Sequence, residues 1–133
     1  IKEDSAGAEF YIVLGQQYES SETELAKYYY QKAGLISEKL NYQPGILRYI
    51  FNYTFVLNMQ GRFDSGLALN LKAVAIARKL NDPVMLGKAL FNAGSSYRML
   101  AQFEKAIALY DEGRKIFASN GDSLLMARSY DII

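Results

Sequence analysis

Residues 81–120 read NDPVMLGKALFNAGSSYRMLAQFEKAIALYDEGRKIFASN, and residues 41–80 read NYQPGILRYIFNYTFVLNMQGRFDSGLALNLKAVAIARKL. Laid one above the other they coincide at Asn41/Asn81, Phe51/Phe91, Asn52/Asn92, Met59/Met99, Phe63/Phe103, Ala68/Ala108, Leu69/Leu109 and Ile76/Ile116. Eight matches in forty positions is several times the roughly 5–6% per position that average composition gives by chance. The same offset relates residues 32–41 to 72–81, through Lys32/Lys72, Ala33/Ala73, Ile36/Ile76, Lys39/Lys79, Leu40/Leu80 and Asn41/Asn81. A forty-residue period of this kind is the signature of a repeat protein.

Each unit reads as two helices. Pro44 suits a first helical turn, where no intrahelical N–H is needed. Ile46, Leu47, Ile50, Phe51, Tyr53, Thr54 and Leu57 then recur at helical spacing. Gly61 ends that helix, since a glycine takes positive φ without strain. A second helix is expected from about Phe63 to Leu80. Asp82 caps a helix that opens at Pro83, and Asn120-Gly121 closes the one ending near Ser119. Ser21 and Glu24 are spaced as a capping box for a helix running to Leu40, and Asp122 is placed to cap a further helix. No window alternates with period two between hairpin turns, so strands are not expected. The reading is all-α.

These residues carry a family resemblance. Asn92-Ala93-Gly94, Tyr97, Ala106, Tyr110 and Gly113 resemble the tetratricopeptide repeat, with a small residue and an aromatic on helix A and small, aromatic and small positions on helix B. Leu14, Gly15, Tyr18, Ala26, Tyr30 and Ala33 fit the same pattern, with an inter-helix turn one residue shorter. The second unit departs most, carrying Thr54, Leu57, Gly66, Asn70 and Ala73. The resemblance implies a right-handed α-solenoid of antiparallel helix pairs over residues 1–133, with repeats at 5–41, 42–81 and 82–121 and the first helix of a fourth at 122–133. Units of forty rather than about 34 residues resemble those of peptide-sensing bacterial regulators, cargo-binding light chains and the sensor regions of some bacterial histidine kinases. Residues 28–41 look most like the last group, a likeness that implies the periplasm; otherwise the cytoplasm is expected.

Composition narrows the function. The chain of 133 residues contains no histidine and no cysteine, which removes Ser–His–Asp and Cys–His catalysis, disulfides and the usual zinc sites. No phosphate loop, dinucleotide fingerprint or nucleophile elbow is present, so we expect a non-catalytic module with no cofactor and no metal. A net charge of +1 gives no global pull toward nucleic acid, and no apolar run reaches the roughly 18–20 residues of a membrane span. Charge is nonetheless uneven. Residues 1–24 hold Glu3, Asp4, Glu9, Glu19, Glu22 and Glu24 against Lys2 alone, a net of −5, and the remainder carries +6. The sequence begins with Ile1 and ends in a helical stretch without a cap, which reads as a piece of a longer protein.

The resemblance implies that the A helices line a concave surface that takes an extended protein or peptide segment. Aligning Gly15, Thr54 and Gly94 selects Arg48, Asn52 and Phe55 in the second unit and Lys88, Asn92 and Arg98 in the third, with Arg128 continuing the basic series. A carboxamide donates to and accepts from a peptide backbone at once, and basic groups one turn away select acidic side chains or a carboxylate. The competing reading is that Asn52 and Asn92 tie neighbouring helices together. An intact carboxylate clamp of the family's best-known kind is not expected, because Ile12 and Gln16 stand where it needs Lys and Asn. The expected role is the sensing or docking part of a larger bacterial signalling protein. The rival is a structural spacer or a self-association platform, motivated by the charge asymmetry. Within the run Tyr28-Tyr29-Tyr30, Tyr30 fits the buried aromatic site, and the others are left for a helix seam or an exposed patch.

Overall fold

The computed structural model describes residues 2–119. It contains six helices, α1 (Ser5–Tyr18), α2 (Thr23–Lys39), α3 (Gln43–Met59), α4 (Phe63–Leu80), α5 (Pro83–Met99) and α6 (Phe103–Ser119), and no strand among the described residues. The expected bounds of α4 are met at both ends. Asn120, Gly121, Asp122 and the fourth-repeat helix expected at 122–133 lie outside the described residues.

The connections repeat on a beat of twenty. Asn41, Gly61, Asn81 and Ala101 all take positive φ, at 52°, 75°, 53° and 60°. At three of them the closure is a Schellman motif. The next residue's N–H reaches back five residues, Tyr42 to Ser37, Arg62 to Leu57 and Gln102 to Tyr97, at 2.8–2.9 Å. Gly61 adopts this conformation freely, asparagine tolerates it, and Ala101 holds it at a cost of about 1 kcal/mol.

The chain divides into two compact units, residues 1–62 and 63–133. The division falls inside the second sequence repeat, between its two helices, so each unit holds three of the described helices rather than whole pairs. In unit 1, α1 and α2 are antiparallel. Glu3 before α1 pairs with Lys39 at the end of α2 at 3.3 Å, and Tyr30 lies against Gly15. A Cβ at Gly15 would overlap the Tyr30 ring, so the small residue sets how closely the helices approach. The Tyr30 hydroxyl donates to Glu19 at 2.7 Å, and burial together with that carboxylate raises its pKa well above the usual phenol range. Helix α3 runs back along α2, with Gly34 under the Tyr49 ring and Lys27 donating to Gln60 at 3.1 Å. The core gathers Ile12, Ala26, Tyr30, Ala33 and Val56.

In unit 2, α5 and α6 form the antiparallel pair. Tyr110 lies against Gly94, where a Cβ would stand 2.8 Å from the ring, and Phe117 packs on Gly87. Phe91, Ala106, Tyr110 and Phe117 make the core. Helix α4 joins α5 through Asn70, which is fully buried and donates to Ser96 Oγ at 3.0 Å and to the Asn92 carbonyl at 3.4 Å. It joins α6 through a two-pronged pair, Arg78 Nη1 and Nη2 to Glu112 at 2.6 and 2.8 Å. Those bonds hold the Glu112 carboxyl below its ordinary range and raise the guanidinium.

Two local expectations are corrected. Ser21 and Glu24 form no capping box: Glu22 occupies the N-cap without a side-chain bond, and the Thr23 hydroxyl donates back to the Glu19 carbonyl at 3.2 Å. The missing residue between Gly15 and Ala26 does not shorten the turn either. Helix α1 stops early at Tyr18, and four residues, 19–22, connect it to α2, against three at 60–62 and at 100–102. The end of α1 absorbs the deletion.

Candidate partner-binding faces

Arg48, Asn52 and Phe55 lie on α3 in unit 1, whereas Lys88, Asn92 and Arg98 lie on α5 in unit 2. Arg128 lies outside the described residues. Both helices start under control. Pro44 occupies the first turn of α3, and Pro83 that of α5, where the Asp82 carboxylate also accepts from the Met85 N–H at 3.1 Å. These starts fix which residues share a face. Steps of four, three and four put Arg48, Asn52, Phe55 and Met59 on one stripe of α3, and Lys88, Asn92, Ser95 and Met99 on one stripe of α5.

The α3 stripe is engaged within the unit. Arg48 Nη1 pairs with Glu9 of α1 at 2.7 Å. Asn52 donates to the Arg48 carbonyl at 2.8 Å and accepts from the Gln16 side chain of α1 at 3.1 Å. Asn52 therefore ties helices together, as one of the two sequence readings had it, and keeps one N–H and one lone pair unused. Phe55 and Met59 are more than half exposed. The stripe as it stands is a neutralised base, a bonded carboxamide and an apolar end.

The α5 stripe differs. Lys88 and Arg98 are exposed and make no ion pair with any described residue, and the Asn92 carboxamide, half-buried, makes no hydrogen bond with one. The Asn92 backbone carbonyl is occupied by Asn70 and Ser96, which leaves the side chain as the open group. Ser95 shares a hydrogen bond with the Tyr110 hydroxyl at 3.1 Å, and Met99 is exposed. Chemically, the stripe offers one cation and an amide that donates and accepts, with Arg98 a second exposed cation about 80° around the helix from Lys88.

Glu9 and Gln16 are the residues the choice of site left out. A signal for the first existed: in the Gly15/Thr54 register Glu9 is the counterpart of Arg48, so neighbouring A helices carry opposite charges at one repeat position. No group of three or more His, Cys, Asp or Glu side chains that could hold a metal ion occurs among the described residues. None of the described helices is long and apolar enough to cross a membrane.

The tetratricopeptide repeat family model matches residues 46–119, more than half of the chain. The chain belongs to the tetratricopeptide repeat family. Among solved structures, the apo form of RapI superposes with a TM-score of 0.88 at 20% identity, over 97% of this chain and 47% of that one. Aspartyl phosphate phosphatase F from Bacillus subtilis gives 0.86 at 19% identity, over 98% and 34%. A signal-transduction ATPase with numerous domains from Pyrococcus horikoshii, which carries a tetratricopeptide repeat sensor, gives 0.84 at 29% identity, over 98% and 20%. The chain thus spans less than half the length of each. No curated protein matches. The likenesses establish an all-α helical repeat of the solenoid class, and membership of the tetratricopeptide repeat family supports a protein–protein interaction module.

Proposed function

We propose that this tetratricopeptide repeat chain is a non-catalytic docking or sensing module that grips an acidic protein segment on its A-helix faces. The observation that carries the reading is the α5 face, where Lys88, Asn92 and Arg98 have no partner among the described residues. Asn92 reads backbone, and the two cations select acidic side chains. Arg48, Asn52 and Phe55 give unit 1 a face of its own on α3, where Arg48 exchanges Glu9 for a ligand carboxylate, and Arg128 continues the basic series in the sequence. The repeat sensor of the Pyrococcus horikoshii protein supports a place within a larger signalling protein. Peptide-display selection against the chain tests this. Enriched acidic peptides that lose about tenfold or more in affinity on Lys88→Glu/Arg98→Glu, the equivalent of about 1.4 kcal/mol, support the reading. Equal binding by both proteins ends it.

The charge asymmetry, −5 in residues 1–24 against +6 in the remainder, favours a second reading, self-association between the acidic end of one copy and the basic face of another. Sedimentation across salt concentrations separates the two, because a monomer at every ionic strength removes self-association.

A further inference from the structure

Helix α2 buries Ala26, Tyr30, Ala33 and Ser37 between α1 and α3 and turns its opposite side outward. Glu24, Tyr28, Gln31, Leu35 and Glu38 follow one another at steps of four, three, four and three, and all are exposed. Tyr28 and Leu35 are each more than half exposed, two large apolar side chains about 10.5 Å apart along one line. The repeat itself turns these positions outward. On α6, which has α4 and α5 before it in its own unit, Ala108 and Lys115 hold the same positions and are exposed, as are Ala68 and Ala75 on α4. Among the described helices, α2 is the one with two large apolar side chains on this outer line. Tyr28 is held in place there. Its ring stands edge-on to Tyr29 at 5.7 Å, and Tyr29 lies 5.9 Å from both Tyr11 and Tyr18 of α1.

We infer that this face is the contact of a symmetric dimer, in which α2 packs antiparallel on α2 of a second copy about a two-fold axis between Gln31 and Lys32. The pattern along the line is complementary to itself in that arrangement. Tyr28 of each copy meets Leu35 of the other, so the four apolar side chains cover one another. Glu24 of each copy stands opposite Lys39 of the other. Both are well exposed, and Lys39, whose Nζ is 3.3 Å from Glu3, has further N–H groups to give. At the axis Gln31 meets Lys32. The Gln31 amide N–H donates to the Tyr53 hydroxyl at 3.0 Å, which leaves its carbonyl oxygen for the ammonium. A parallel pair would set Glu24 on Glu24 and Lys39 on Lys39, so charge selects the antiparallel one. The contact uses one helix of 17 residues, which puts it in the small, transient class. It differs from the end-to-face association described above, which joins unlike surfaces, and it lies on the side of α2 turned away from α1 and α3.

Sedimentation equilibrium of the 133-residue chain tests this, with an expected monomer–dimer Kd between about 10 µM and 1 mM. Leu35→Asp weakens the dimer by about tenfold or more. Glu24→Lys weakens it by about two- to fivefold, and Lys39→Glu added to it restores the affinity. Lys88→Glu/Arg98→Glu, which removes the basic face used by an acidic ligand or by an end-to-face contact, leaves the dimer unchanged. The chain has no cysteine, so an introduced one reports alone. Gln31→Cys sits beside the two-fold axis and cross-links to itself under mild oxidation about tenfold faster than Leu71→Cys, the same outer position on α4. A monomer at about 1 mM, a dimer that Leu35→Asp leaves intact, or equal cross-linking at the two positions overturns the inference.

Discussion

Helices α3 and α5 each present a base followed four residues later by an asparagine, and the two units treat the pair differently. In unit 1, Arg48 is held by Glu9 and Asn52 by Gln16, both on α1. In unit 2, Lys88 makes no ion pair and the Asn92 side chain no hydrogen bond with the described residues of that unit. The two helices hold equivalent repeat positions, and in unit 1 it is the neighbouring helix α1 that satisfies the pair. A repeat position states which chemistry faces a surface; the adjoining helix decides whether that chemistry is already satisfied.

The comparison has four points at which it can be broken or sharpened. The strongest is Asn70, whose buried amide anchors the helix that carries the open face. Asn70→Ala should lower the unfolding free energy by about 2–3 kcal/mol, since it leaves the Asn92 carbonyl and Ser96 without that donor and opens a cavity. Chemical denaturation measures it, and a loss under 0.5 kcal/mol, taken as about the size of a neutral surface change, would show the anchor to be dispensable. Next come the glycines under the two aromatic rings. Gly15→Ala drives a Cβ into Tyr30 and should cost about 1–3 kcal/mol. Gly94→Ala meets Tyr110 at 2.8 Å, and its gain of about 0.5–1 kcal/mol in helix propensity offsets much of the clash. Equal losses at the two sites would mean that the units pack alike after all.

The turns supply a smaller contrast. Gly61→Ala should destabilise by about 1 kcal/mol and Ala101→Gly should stabilise by a little less, because both residues sit at positive φ. Opposite signs in thermal unfolding are the expected outcome. The mildest test makes unit 1 resemble unit 2. Glu9→Gln releases Arg48 and should strengthen binding of the acidic display peptides by about two- to fivefold, while stability changes by under about 1 kcal/mol. Unchanged affinity would confine the binding face to α5.

The helix ends were largely legible because they depend on local chemistry. Gly61, Asp82-Pro83 and Pro44 each act within one turn of their own position, and α4 begins and ends where the sequence places it. The capping box at Ser21 and Glu24 failed for the same local reason, read one step too far: α1 stops at Tyr18, and Thr23 turns its hydroxyl back to Glu19. The state of the candidate site was less legible. Arg48 and Asn52 are satisfied by side chains 39 and 36 residues away, and those pairings exist only once α1 and α3 lie side by side. The tyrosine run 28–30 gave up Tyr30 through the repeat pattern. Tyr29 joins Tyr11 and Tyr18 only through the packing of α2 on α1.

The beat of twenty at Asn41, Gly61, Asn81 and Ala101 bears on how such a chain can change in length. The same left-handed closure follows A helices and B helices alike, so the turns do not distinguish the two kinds. Losing one helix of about twenty residues would leave every closure intact and still join like to like, exposing an apolar face along the rest of the array. A gain or loss of forty keeps both the closures and the faces. A single inserted residue within a helix would turn every later side chain by about 100°. Growth by whole pairs, with small slips confined to helix ends such as that of α1, is the path this geometry leaves open.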